Sequence, residues 1–353
     1  MGADKMRGSK DIKKVTLKDI AKEAGISVGA VSLILNNKPC RISEENKEMV
    51  KKIAKEKNYV VNQMARALVT KKSHTLALLL PDIQNTFFSA LAKQLEEECR
   101  EKGYYLMFVN TNDSFENDKK LLMSLDARGV DGIFIIQSNE SYYHYQQFKN
   151  QVEDLHIPYV MVDRSFEDME CSQVRFDNQK GGYKATKYLI EEGHQKIACI
   201  YMDDYCGNGT HRMKGYKQAM EEVNFPIEEN YLIVGDNRYK SGYNAVKSIL
   251  ESGVTAVMIC NDMMTLGFLK GLYECGKKIP KDISVVSYDD SLSDYLFEIE
   301  ITTVAQNVEI LAKESTEMMM ELLTDPWSKP RKLILDPKLI IRNSVIRQKD
   351  KKG

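Results

Sequence analysis

Residues able to do covalent or metal chemistry are few in this 353-residue chain, and they stand apart from one another. The five histidines, at 74, 144, 156, 194 and 211, show neither HxxxH nor HExxH spacing, so no helix turn would bring two of them onto one metal. Seven cysteines, at 40, 99, 171, 199, 206, 260 and 275, form no CxxC pair, and their odd number reads as reduced thiols in a reducing compartment. Gly207-Asn208-Gly209 is an isolated GxG without a dinucleotide-binding context, and no phosphate-loop pattern occurs. Catalysis has no visible machinery here, and neither a cofactor nor a metal is expected.

Charge is the stronger signal. The whole chain nearly balances, with 50 Lys plus Arg against 51 Asp plus Glu, yet residues 1–73 hold 17 basic and 8 acidic side chains, against 33 and 43 in the remainder. A basic first module attracts phosphate backbones, whereas an acidic body repels them and must do something else. A solubilising Lys-rich tail is the plainer alternative.

The elements that would carry these charges follow from punctuation and periodicity. Thr16 with Asp19 three residues later, then Ser27 and Ser43, each precede an apolar-periodic stretch and are side chains that cap helices. Gly25, within Ala24-Gly25-Ile26, supplies the left-handed turn that a tight helix-to-helix connection needs. Leu17, Ile20, Ala21, Ile26, Val31, Leu35, Val50, Ile53 and Tyr59 then share one small core between three helices. From His74 the pattern changes to apolar runs at 75–81, 104–110, 130–137 and 157–163, and again at 196–202, 254–260 and 282–288, alternating with amphipathic helices. That alternation predicts an α/β body of two doubly wound parallel-sheet lobes, with a ligand site at the carboxyl ends of the strands where the lobes face. Residues 1–14 read as a flexible or vector-derived arm, with Met6 a candidate natural start. No export signal or apolar run of about 18 residues occurs, so a cytoplasmic protein without a membrane span is expected.

Several motifs, in order, resemble the lac-repressor and galactose-repressor (LacI/GalR) family of transcriptional regulators from Val15 to Ile346. VTLKDIAKEAGISVGAVSLILNN at 15–37 resembles its helix-turn-helix and YVVNQMARAL at 59–68 its hinge. PDIQNTFFSALAKQLEEECREKGYYL at 81–106, RGVDGIFI at 128–135, FDNQKGGYKATKYLIEEGHQKIACI at 176–200, RMKGY at 212–216, CNDMMTLG at 260–267, VVSYDD at 285–290, ITTV at 301–304 and IIRNS at 340–344 resemble its sensing body. The resemblance implies a helix-turn-helix head over 15–61, a hinge helix or linker over 62–73, and an effector-binding and dimerisation body over 74–346 akin to periplasmic sugar-binding proteins. The chain would cross between lobes three times, placing 74–163 and 291–322 in lobe one and 164–290 and 323–346 in lobe two.

In the head, the helix after Ser27 is implied to enter the major groove of an operator. Val28 and Gly29 stand at the base-reading positions, and Leu33 replaces a polar or basic residue of several relatives, which shifts readout toward thymine methyls and shape. Thr16, Ser27, Ser32, Asn36, Arg41 and Ser43 are placed to hold phosphates, which fixes register. In the hinge, Asn62 would start a helix while Ala65 and Leu68 wedge into the minor groove, and Val61 stands where relatives have proline. A passive linker is the alternative. Two such hinges meeting at a palindrome imply a homodimer.

In the body, the implied effector contacts are Phe87, Phe88, Asp163 and Arg164 from lobe one, Phe176, Asn208, Arg212, Asn261 and Asp289 from lobe two, and Gln306 from a crossing segment. Carboxylates and an Arg fork beside aromatics suit a sugar-like ligand. Asp177 and Asn178 are read as helix caps, and Phe87 or Phe88 could equally be core. Asn237 stands where several members carry an aromatic platform and Cys206 where purine-responsive members carry arginine, which argues against a purine corepressor and leaves stacking to Tyr239 or the phenylalanines. Control by a phosphorylated protein corepressor is the alternative, and a solute-binding receptor a further one.

Overall fold

A computed structural model describes residues 15–36, 38–59, 70, 72–205, 207–295 and 299–348. The expected hinge contacts Asn62, Ala65 and Leu68, with Val61 and Cys206, lie outside the described residues. The chain divides into two compact units between Ser73 and His74.

Among its described residues the first unit contains the helices α1 (Leu17–Ala24), α2 (Val28–Leu35) and α3 (Glu44–Glu56). Thr16 and Asp19 form a reciprocal capping box: the Thr16 hydroxyl accepts the Asp19 amide at 3.4 Å, and the Asp19 carboxylate accepts the Thr16 amide at 2.9 Å. Ser27 caps α2 and Ser43 caps α3 through their hydroxyls. Gly25 closes α1 at φ 66°, the left-handed conformation that only glycine adopts without cost. Ile20, Val31, Ile34, Val50 and Ile53 are buried between the helices, with Leu17, Ile26, Leu35 and Tyr59 packed around them.

The second unit is built on two six-stranded sheets. The strands are β1 (Thr75–Leu80), β2 (Tyr105–Asn110), β3 (Gly132–Ile135), β4 (Tyr159–Val162), β5 (Gln173–Phe176), β6 (Ile197–Met202), β7 (Leu232–Gly235), β8 (Ala256–Ile259), β9 (Ser284–Asp289), β10 (Thr302–Ala305), β11 (Lys332–Leu335) and β12 (Lys338–Ile340). Their orders are β11-β5-β4-β3-β1-β2 and β12-β10-β9-β8-β6-β7. Every neighbour pair is parallel except β10 with β12. Helices cover both faces of the first sheet, so Leu76 to Leu80 are all inaccessible to solvent and the strand reads as an unbroken apolar run. Among the described residues no helix is long and apolar enough to cross a membrane.

The lobe boundaries differ from the expected ones. β5 and β11 belong to the first sheet, whereas β10 belongs to the second. The chain therefore crosses around Asp177, around Gln306 and around Asp336, and not at 163–164, 290–291 and 322–323. The Val308–Thr324 helix packs on β3, β4 and β5 of the first lobe. The cause is that β5 stays paired with the preceding β4 and β10 with the preceding β9, so each crossing comes one strand later, while β11 returns to β5 through Lys332 opposite Gln173.

Candidate functional sites in the head and in the interlobe cleft

On α2 the positions Val28, Gly29, Ser32, Leu33 and Asn36 recur at helical spacing and so share one face. Val28 and Leu33 are 39% and 38% exposed, unusual for apolar side chains on a helix this short, while Val31 and Ile34 on the opposite face are buried. Ser32 and Asn36 are half-buried, and the Asn36 amide donates to the Ser32 carbonyl at 2.8 Å. Arg41, Thr16, Ser27 and Ser43 are exposed. The three hydroxyl residues stand at the helix N-termini, where orphan amides and the helix dipole favour an anion. Thr16 also donates its hydroxyl proton to Asp19 at 2.7 Å, so capping already engages it.

In the body, one cleft between the two sheets brings together eight of the ten residues expected from the sequence: Phe87, Phe88, Asp163, Arg164, Asn208, Arg212, Asn261 and Asp289. Its remaining free space is about 30 Å³, because the facing polar groups pair with one another. Asn208 of the second lobe donates to Asp163 of the first at 3.1 Å, and the Thr86 and Ser291 hydroxyls bridge the lobes at 2.6 Å.

Arg212 is the most heavily held of these side chains. Its Nε donates to Asn178 Oδ1 at 2.8 Å, one terminal nitrogen donates to the Cys260 carbonyl and lies 3.5 Å from the Asp289 carboxylate, and its guanidinium sits 3.7 Å from the Tyr288 ring centre. Asn178 is thus a positioning partner of Arg212, while Asp177 alone caps the helix, accepting the Lys180 amide. Placement of Arg212 depends on a close crossing of the Asn178–Glu191 and Asn208–Glu222 helices. A Cβ on Gly215 would strike the Gln179 carbonyl, and one on Gly182 the Arg212 carbonyl. Gly215→Ala is therefore expected to force the helices apart, costing about 1–3 kcal/mol of stability and misplacing Arg212. A urea midpoint equal to that of the unaltered chain would contradict this.

Burial dominates the electrostatics. It pushes the Asp163 carboxyl up to about 6, although Arg212 and Arg164 pull the other way. Burial also raises Asp289, with Arg212 opposing, and raises neighbouring Asp262 to about 7, where the Asp289 charge adds to the effect. Burial would likewise raise Asp113, but Arg164, 2.9 Å away, and Asn139 override it and hold that carboxyl below its ordinary range. One Asp163 oxygen, Oδ1, is buried with no partner among the described residues. Asp163, Asn237 and Asp289 all sit at positive φ, at 61°, 61° and 95°, and all three line the cleft. Such strain is borne where a side chain must be aimed.

Two expected contacts lie elsewhere. Phe176 is the last residue of β5, 3% exposed within the first lobe's core, because strand alternation turns it onto the helix-covered face. Gln306 stands behind the cleft and donates to Asp289 at 2.9 Å. Phe87 and Phe88 are both core and lining, with Arg164 stacked 5.2 Å from the Phe88 centre. Tyr239 is outside the cleft, in an adjoining groove with Asn237. Sequence reading missed Asn85, Asn139, Asp204, Gly209 and, as a lining group, Asn237. Their one shared signal is a polar residue just past an apolar strand or at the start of a helix.

Comparison with known proteins gives two family matches. A profile described as periplasmic binding proteins and sugar binding domain of LacI family matches residues 73–343, and one described as bacterial regulatory proteins, lacI family, matches 16–62. The HTH-type transcriptional repressor PurR of Vibrio campbellii is 32% identical over 335 residues, 94% of this chain and 98% of that protein. A LacI family transcriptional regulator of Enterococcus faecium, solved with bound ribose, is 28% identical with a TM-score of 0.70 over 77% of this chain and 99% of its own. A complex of the transcriptional regulator CelR with cellobiose is 27% identical with a TM-score of 0.69 over 94% and 100%.

Proposed function

The chain belongs to the LacI family of bacterial regulatory proteins, and from that premise we propose that it is a cytoplasmic repressor that binds a palindromic operator as a homodimer and releases or engages it in response to a saccharide in the interlobe cleft. The observation that carries this reading is the convergence of Arg212, Asp289 and Asp163 with Phe87 and Phe88 between two lobes. A hydroxylated ring needs a partner for each buried hydroxyl and an apolar surface for its C–H face, and the cleft offers both. The ribose and cellobiose complexes of relatives support the same ligand class.

The α2 face supplies base contacts through Val28, Gly29 and Leu33, and the helix N-termini at Thr16, Ser27 and Ser43, with Ser32, Asn36 and Arg41, hold phosphates. Asn62, Ala65 and Leu68 form the minor-groove element. Support for a dimer comes from the edge strands β2 and β7, which occupy the same terminal place in the two sheets and expose Tyr105, Phe108 and Val234 at 75%, 47% and 61%. Unpaired apolar edges of this kind call for a cover.

Calorimetry of the purified chain with ribose, glucose, galactose, xylose and cellobiose tests the ligand class. Heat from any of them is expected, and silence from all would remove the saccharide reading. Genome-wide footprinting supplies the operator. On that duplex, Leu68→Ala is expected to weaken specific binding about tenfold, more than nonspecific binding, because without the wedge the central base step is not unstacked and the wider contact with bent DNA is lost. Equal losses on both duplexes would contradict the wedge.

A further inference from the structure

Beside the cleft lies an open depression of about 590 Å³ to which both lobes contribute tyrosines. Tyr142, Tyr143 and Tyr145 come from the first lobe, and Tyr205 from the second. Tyr143 and Tyr205 are 59% and 70% exposed, with ring centres 6.2 Å apart and planes inclined at 42°. These rings are not core. The Tyr143 hydroxyl donates to the Asp203 carbonyl at 2.9 Å, so the two lobes are tied at this point. Tyr205 is held at φ 62°, a left-handed backbone that costs a bulky residue of order 1–3 kcal/mol, although its ring gains little burial there.

The depression adjoins the cleft, since a Cβ on Gly207 would meet both Asp204, which lines the cleft, and Tyr142, which lines the depression. Asn139 and Asp204 line the cleft, while Tyr142 and Tyr205, close behind them in sequence, line the depression. Its floor is Phe166, with Tyr145 tilted against it at 4.7 Å and the Tyr145 hydroxyl donating to Asp168 at 2.5 Å. Exposed amides of Gln146 and Gln147 stand on the rim. Its volume falls within the roughly 300–1,000 Å³ of small-molecule sites.

We propose that this depression is a second carbohydrate subsite, continuous with the cleft, that takes the additional glycosyl units of an oligosaccharide effector. The proposal rests on the cleft being a saccharide site. A glycosyl ring presents an apolar C–H face and a rim of hydroxyls, which matches tyrosine faces bordered by amides and a carboxylate. A purely apolar occupant would leave that polar rim without use. Because Tyr143 and Tyr205 belong to opposite lobes, an occupant touching both favours the closed arrangement, as any ligand favours the state it binds better. Recognition in the depression is thereby coupled to how the two lobes stand against each other.

The test is calorimetry of the full chain with glucose, cellobiose and cellotriose, with maltose and maltotriose, and with xylose, xylobiose and xylotriose. In at least one series the di- or trisaccharide is expected to bind at least tenfold more tightly than its monosaccharide. Tyr205→Ala and Tyr143→Ala are expected to erase that advantage with monosaccharide affinity within twofold of the unaltered chain, and Tyr143→Phe, which keeps the ring, to restore it. Equal affinity for short and long sugars, an advantage that survives both alanine variants, or a parallel loss for short and long sugars overturns the subsite and leaves the cleft reading standing. Silence from every sugar overturns the cleft reading and the subsite with it.

Discussion

Replacement of Arg212 by alanine is expected to abolish the response to effector while leaving operator binding in its absence intact. The side chain is 6% exposed and bridges the lobe's own elements, from Asn178 to Cys260 and Asp289. Removing one member of a buried ion pair leaves the other charged group without compensation, at roughly 3–5 kcal/mol. Asp289, already raised by burial and opposed mainly by Arg212, would then be raised further, which weakens it as an ionised acceptor. At least a hundredfold loss of effector affinity follows, about 2.8 kcal/mol on the scale of 1.4 per decade. Calorimetry reads the affinity, and fluorescence anisotropy on a labelled operator duplex, with and without effector, reads the response. Arg212→Lys guards against misfolding as the explanation. It keeps the charge but not the planar fork, so partial folding rescue without recovery of the response is the expected pattern. An intact response in either variant would remove Arg212 from the site.

The visibility of Arg212 in the sequence, and the invisibility of its neighbours, have a physical cause. Arg212 is reached through the resemblance carried by RMKGY, in which it stands three residues before Gly215, a glycine that the helix crossing requires. The continuous runs that became β1, β4 and β6 are legible because strands covered on both faces are apolar at nearly every position. Short strands carry no such mark. β5 and β10 have four residues each, and nothing in QVRF or TTVA says which of two similar sheets will pair with it. The lobe boundaries were misplaced on this point, and Phe176 with them. Asn85, Asn139 and Asp204 escaped notice because a lone polar residue at a strand or helix end is also what an ordinary turn requires. The positive φ of Asp163, Asn237 and Asp289 is set by the tertiary frame and leaves no trace in residue type beyond the tolerance of Asp and Asn for that region.

Effector affinity is expected to fall as pH drops through about 6, and Asp163 is the group responsible. Burial lifts its carboxyl to about 6, against Arg212 and Arg164, with Asp289 adding to the rise and the Asn208 amide opposing it. Ligand hydroxyls would donate to the ionised carboxylate, whose Oδ1 has no partner among the described residues, so binding lowers the proton affinity of Asp163. The linkage sign follows: below pH 6 binding must expel a proton, and affinity declines by up to tenfold per unit, while above about 7 it is flat. For folding the same shift has the opposite consequence. The folded carboxyl holds its proton more tightly than the unfolded one, near 3.9, so its contribution to stability falls as pH rises from about 4 to 6 and stays low above. Asp289 and Asp262 are also raised by burial, and Asp262, at about 7, does not line the cleft. Asp163→Asn is therefore expected to flatten the affinity profile between pH 5 and 7, whereas Asp262→Asn is expected to keep it. Calorimetry in buffers of differing ionisation enthalpy counts the released proton directly, and release at pH 5.5 that persists in Asp163→Asn would assign the titration to another carboxyl.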